Sequence, residues 1–229
     1  MSIHDHLTAF SEAAPSGEDP EYDADFQALE RAAKPGEERQ AGAEILAAEE
    51  PDYRDVAARA EEVLSRCHDL RAALYYTHAA AALRGYPGLA EGLSYIRALL
   101  QDFWDSCHPE LDHDDPDDMA LFRVNTLSGL TDGTTVLRAV RSAPLTLSNA
   151  FGRVTLRDLE IADGEREPSE AVPAITDPAA IAAAFQDTDP AALAEIAAAA
   201  RQALGDARAM RPSRRWPSCW RGSRRSTWC

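Results

Sequence analysis

Apolar residues recur along much of the chain at alternating steps of three and four, the spacing that places them on one face of an α-helix. The clearest run is Leu89, Leu93, Ile96, Leu100, Phe103 and Cys107. It predicts a helix from about Gly88 to Cys107, roughly 30 Å long at 1.5 Å per residue. Pro87 fits its first turn, where N–H groups are unpaired in any case, and Pro109 marks its end. Leu89, Leu93, Ile96, Leu100, Phe103 and Trp104 are the expected structural core, with both aromatics read as packing residues.

Shorter stripes flank this run. Asp23–Ala33 predicts a helix with Phe26, Leu29 and Ala33 on one side, stopped by Pro35–Gly36 and followed by a loop through Gly42 to Pro51. Asp52 is placed to cap a helix striped by Tyr53, Val56, Ala60, Val63 and Cys67. Asp69 caps the next, with Leu70, Leu74, Thr77, Ala81 and Leu83 as its inner side and Gly85 as its left-handed stop. Beyond Pro109, Asp117 or Asp118 can cap a helix bearing Leu121, Val124, Leu127 and Leu130, and Thr134–Arg141 forms another before Pro144. Helices in series on short connections predict an all-α, multi-helix bundle or array. Leu145–Asp158 lacks the helical period and reads as a short hairpin or an extended excursion.

These elements divide the chain into a helical domain over residues 1–163, a Pro- and Gly-bearing linker over 164–178, and alanine-rich helices over 179–210. Asp177–Pro178 and Asp189–Pro190 each set an acidic N-cap before a first-turn proline. Residues 211–229 break the pattern, with six arginines, no acidic residue and three of the four tryptophans. As a genuine tail this is a basic, aromatic arm suited to an acidic surface or nucleic acid. Such strings also arise when GC-rich DNA is translated in a shifted frame. The abrupt compositional break favours that explanation, and no function is built on the segment.

The whole chain carries 39 acidic against 23 basic residues, a formal charge of −16. That balance argues against general nucleic-acid or anionic-membrane binding and suits a partner with basic patches. The N-terminus lacks a signal-peptide pattern and no stretch is apolar enough for a membrane span, so a cytoplasmic location is expected. The four cysteines show no metal-type spacing and are expected as reduced thiols.

Motifs for nucleotide, hydrolase or zinc chemistry are absent. Cys67 and His68 are sequence neighbours whose side chains diverge by about 100° on a helix, giving a poor nucleophile–base pair. They read as a buried thiol beside a surface imidazole. The acidic run Asp112, Asp114, Asp115, Asp117 and Asp118, with His108 and His113, is the best candidate for a hard cation. Pro116 nevertheless occupies a ligand position of the EF-hand pattern, and no glutamate closes the loop. A metal-binding module or metal-dependent enzyme on loop 112–118 is the alternative class. The leading reading has no catalytic, cofactor-binding or metal residues, and makes the same loop, with Leu111 as an apolar anchor, a partner-docking surface.

Ordered sequence blocks carry a family resemblance: GEDPEYDADFQALERA (Gly17–Ala32), AEEPDYRDV (Ala48–Val56), GLAEGLSYIRALLQDFWDSCHPELD (Gly88–Asp112), FRVNTLSGL (Phe122–Leu130), APL (Ala143–Leu145) and FGRVTLRDLE (Phe151–Glu160). Over about residues 15–163 the chain resembles the ImpA N-terminal domain of the TssA family of type VI secretion proteins. The resemblance implies a helical, non-enzymatic, cytoplasmic assembly component that associates with the baseplate and with tail tube and sheath. It supplies no catalytic residue. The family's ring-forming C-terminal region has no counterpart in the sequence, so ring assembly is not expected of this chain.

Overall fold

Two long helices joined at a single glycine form the centre of the molecule. The computed structural model describes residues 2–36, 39–41, 44–46, 49–115, 119–169 and 172–210. Asp117, Asp118 and the basic segment 211–229 lie outside the described residues. In chain order, a 3-10 turn at Ile3–His6 is followed by α1 (Ala24–Ala32), strands β1 (Arg39–Ala41) and β2 (Glu44–Leu46), α2 (Tyr53–Leu64), α3 (Leu70–Arg84) and α4 (Tyr86–Asp102). Then come α5 (Leu121–Ser128), a 3-10 turn at Gly129–Thr131, α6 (Val136–Ser142), α7 (Leu156–Ala162), α8 (Pro178–Asp187) and α9 (Pro190–Ala209). The fold is all-α apart from the antiparallel ribbon of β1 and β2, which pairs Gln40 with Ile45 inside a segment expected to be loop.

Helix starts follow the local chemistry. Asp23, Asp52, Asp69, Asp177 and Asp189 each accept a first-turn N–H of the helix they precede, satisfying donors the helix cannot pair internally. Gly85 takes φ +64°, a conformation other residues avoid, and there α3 reverses into α4. Two glycines then let the helices touch. A Cβ on Gly88 would lie 2.0 Å from the Ala80 carbonyl oxygen, and one on Gly92 would lie 2.4 Å from Thr77 Oγ1.

Helix α4 serves two apolar clusters. Its later turns give Tyr95, Ile96, Leu99 and Leu100 to a cluster completed by Phe26, Leu29, Val56, Val63, Leu70 and Trp104. Its first turns give Tyr86, Leu89, Ala90 and Leu93 to a second cluster with Ala81, Val136 and Ala203. Helix α9 packs along α4, where Arg97 Nε lies 3.1 Å from Asp206 Oδ1. The alanines of α9 suit this role, because small side chains allow close approach.

Several expectations need correcting. Helix α4 ends at Asp102, so Phe103, Trp104 and Cys107 pack from a turn and not from helix. Leu83 is 44% exposed because the last turn of α3 projects into solvent. Helix α5 starts after Ala120, which offers no side-chain cap; the expected caps Asp117 and Asp118 lie outside the described residues. Its inner side is also different: Leu121 is 45% exposed, whereas Arg123 is buried. The segment after Pro144 is an excursion closed by one bridge, with Leu145 N–H donating to the Val154 carbonyl at 2.7 Å. Residues from Leu156 are helical, started by a reciprocal capping box between Thr155 and Asp158.

Candidate docking face

Where α4 stops, its chain makes a partly buried turn in which the Trp104, Cys107 and Pro109 carbonyls have no helical donors. A buried carbonyl left unpaired costs about 1–3 kcal/mol, so such a turn needs donors from elsewhere. Arg123 of α5 supplies them. Its Nε donates to the Pro109 carbonyl at 2.7 Å, while Nη1 and Nη2 donate to the carbonyls of Trp104 and Cys107. The guanidinium also lies over the Trp104 ring. A planar fork with five N–H donors suits three divergent carbonyls in a way an ammonium does not. Burial pulls the Arg123 pKa below its ordinary value, and Asp105 and Glu110 act in the opposite direction.

This clamp fixes the base of the acidic loop. Leu111 is half-buried against the first apolar cluster. The Asp112 N–H donates to the Met119 carbonyl at 2.9 Å, tying the two ends of the loop together. The Asp112 carboxylate accepts the Asp114 N–H at 3.0 Å. Asp112, Asp114 and Asp115 are exposed, as is His113. Leu121 and Phe122 follow, 45% and 57% exposed. Among the described residues, no group of three or more His, Cys, Asp or Glu side chains is placed to hold a metal ion.

Of the residues expected in the core, Leu89, Leu93, Ile96, Leu100 and Trp104 are buried. Phe103 is half-buried and packs on the His68 ring, with centroids 4.0 Å apart. His68 is not the surface imidazole expected: it is fully buried, with Phe10 also against its ring. Its Nε2 meets the His6 carbonyl at 2.9 Å, which requires the proton there, so Nδ1 accepts from the Ser16 hydroxyl at 3.2 Å. Ser16 in turn meets Ser106 at 2.7 Å. His108 Nε2 reaches the Gly17 carbonyl at 3.2 Å. These contacts strap the N-terminal arm across the α2–α3 connection and the turn after α4. His4 joins them through Ser94 at 3.2 Å.

Among the described residues, the two cysteines offer no nucleophile. Cys67 donates to the Val63 carbonyl, and burial pushes its thiol up to about 12. Burial likewise pushes Cys107 up to about 11. Thiolate, the reactive form, is therefore scarce at both. What periodicity missed is Arg123 and its exposed neighbours. The signal for them was an arginine within an apolar stripe, following a turn-rich segment whose carbonyls needed donors.

Comparison with known proteins fits this architecture. The family model described as ImpA, N-terminal, type VI secretion system matches residues 7–132. The chain is 43% identical over 202 residues to the type VI secretion system component TssA1 of Pseudomonas aeruginosa, covering 88% of this chain and 56% of that protein. It thus spans little more than half the length of that relative. The fold matches the N-terminal domain, including the conserved ImpA_N region, of the TssA component of the type VI secretion system from Burkholderia cenocepacia. The TM-score is 0.66 at 28% identity, over 91% of this chain and 80% of that one. Among the described residues, no helix is long and apolar enough to cross a membrane. The chain belongs to the ImpA N-terminal family of type VI secretion systems.

Proposed function

We propose that this chain is a non-enzymatic assembly component that docks type VI baseplate, tail tube and sheath proteins through its helical domain on the cytoplasmic side. The docking surface is the acidic loop, comprising Leu111, Asp112, Asp114, Asp115, Asp117 and Asp118. One observation carries this reading: exposed carboxylates stand on a base that a buried arginine holds fixed, so charge is presented at a defined position. Such a surface steers a basic partner and sets its orientation. Leu111 contributes mainly by anchoring the loop, since it packs inward. Residues 1–163 form the docking unit, and the alanine-rich helices beyond 178 belong to the next segment of the family's architecture. Ring assembly is not assigned to this chain.

Replacing Asp112, Asp114 and Asp115 together with serine tests the proposal. Capture of purified baseplate, tube or sheath proteins is expected to weaken, with helicity and melting temperature unchanged. Undiminished capture removes the loop from the function.

A further inference from the structure

The residues just after the acidic loop are apolar where solvent-facing positions are usually polar. Arg123 explains why. Successive residues on a helix point about 100° apart, and the carbonyl-rich turn claims the inward position for Arg123. Phe122 is thereby turned to solvent, and Leu121 remains 45% exposed despite its helical spacing from Val124 and Leu127. The two side chains stand beside the joined ends of the acidic loop, because Met119 accepts from Asp112 and Arg123 binds the Pro109 carbonyl. Lone exposed apolar residues are ordinary. Two adjacent ones at a carboxylate rim form the apolar centre and polar edge of a binding patch.

We propose that Leu121 and Phe122 are the apolar anchors of the docking face and that its occupant is a protein surface with an apolar centre ringed by lysine or arginine. The inference rests on the docking reading above and adds the chemistry of the partner. Between Arg97 and Arg123 the sequence carries eight carboxylates and no lysine or arginine. Asp102, Asp105, Glu110, Asp112, Asp114 and Asp115 are all exposed. An occupant must supply positive charge around whatever covers Leu121 and Phe122. A second copy facing this one would bring like charges together, and anionic lipid would be repelled in the same way. The two parts of the face do different work: the carboxylates accelerate encounter, and the apolar pair slows departure.

The test immobilises the full chain and measures association and dissociation rates for purified baseplate, tube and sheath proteins from the same secretion system. Leu121→Ser with Phe122→Ser is expected to raise the dissociation rate of the bound protein about 10- to 100-fold, the range for losing two anchor residues, with the association rate retained. The triple aspartate variant is expected to slow association and flatten its salt dependence. Leu121→Gln and Phe122→Gln singly, each checked by circular dichroism, guard against a folding defect in the double variant. Wild-type dissociation from the Leu121/Phe122 variants, with slowed association in the aspartate variant, overturns the anchor assignment and leaves the docking reading standing. Insensitivity to both sets of changes, or no binding by any of the proteins, overturns both. Binding that strengthens with salt overturns the basic-partner assignment. Self-association of the chain that is abolished by Leu121→Ser and Phe122→Ser identifies a second copy as occupant and overturns it too.

Discussion

The Arg123 guanidinium carbon lies 4.9 Å from the centre of the Trp104 ring while its nitrogens bond the Trp104, Cys107 and Pro109 carbonyls. One side chain thus covers an aromatic face and closes a turn. Arg123→Ala would leave two buried carbonyls and the half-buried Pro109 carbonyl without these donors and is expected to destabilise the fold by about 3 kcal/mol or more. Arg123→Lys keeps the charge but not the fork, and is expected to recover only part of that loss. Urea unfolding of the three proteins checks the order. Equal stability of wild type and Arg123→Ala would show that the clamp is not needed.

The α3–α4 contact makes a second prediction. A Cβ on Gly92 would lie 2.8 Å from the Thr77 Cα as well as close to its hydroxyl. On an open helix surface, Gly→Ala stabilises by up to about 1 kcal/mol. Here the sign is expected to reverse, with Gly92→Ala lowering the melting temperature and Gly88→Ala lowering it further. Thermal melts of both variants settle the point, and a rise in either would mean that the helices separate at no cost.

Stability is expected to fall in two stages on acidification. Burial holds His68 and His78 below their ordinary pKa, so the unfolded chain takes up these protons first. Their neutral state therefore favours the fold fully above about pH 6.5, and stability declines as pH falls below that value. Asp23, Glu50, Asp132 and Glu160 are also held below their ordinary values. Backbone N–H groups beside Asp23, the Arg138 guanidinium at Glu50, the Thr134 hydroxyl at Asp132, and Arg166 with Arg141 at Glu160 favour the charged carboxylates. Their contributions are present above about pH 4.5 and are lost below it. Chemical denaturation across pH 3–8 should show both stages, and His68→Asn should shrink the upper one alone. A flat profile from pH 7 to 5 would contradict the first stage.

How much of this the sequence disclosed depends on whether the cause was local. The caps Asp52, Asp69, Asp177 and Asp189 and the reversal at Gly85 were legible because each depends on a few adjacent residues, whereas Asp23, expected inside its helix, caps it. Burial of Leu89, Leu93, Ile96 and Leu100 was legible because period 3.6 records which face is covered. The end of α4 was not, because Phe103, Trp104 and Cys107 continue the apolar spacing after the backbone has turned away. What allows that turn is Arg123, which is distant in sequence. The start of α7 was read as the end of a hairpin or excursion reaching Asp158, because a seven-residue helix offers too few apolar positions to establish a period. The close face of α4 at Gly88 and Gly92 was not legible, because it depends on Ala80 and Thr77 lying opposite.

Because α4 contributes to both apolar clusters, neither cluster can loosen without fraying the same helix. The domain should therefore unfold in one cooperative step, with the most protected amides in the middle of α4. Strain entering at the acidic loop passes through the Arg123 clamp to Trp104 and into the end of that helix. A partner docked on the proposed face would pull against the cohesion of the whole domain and find a rigid handle there.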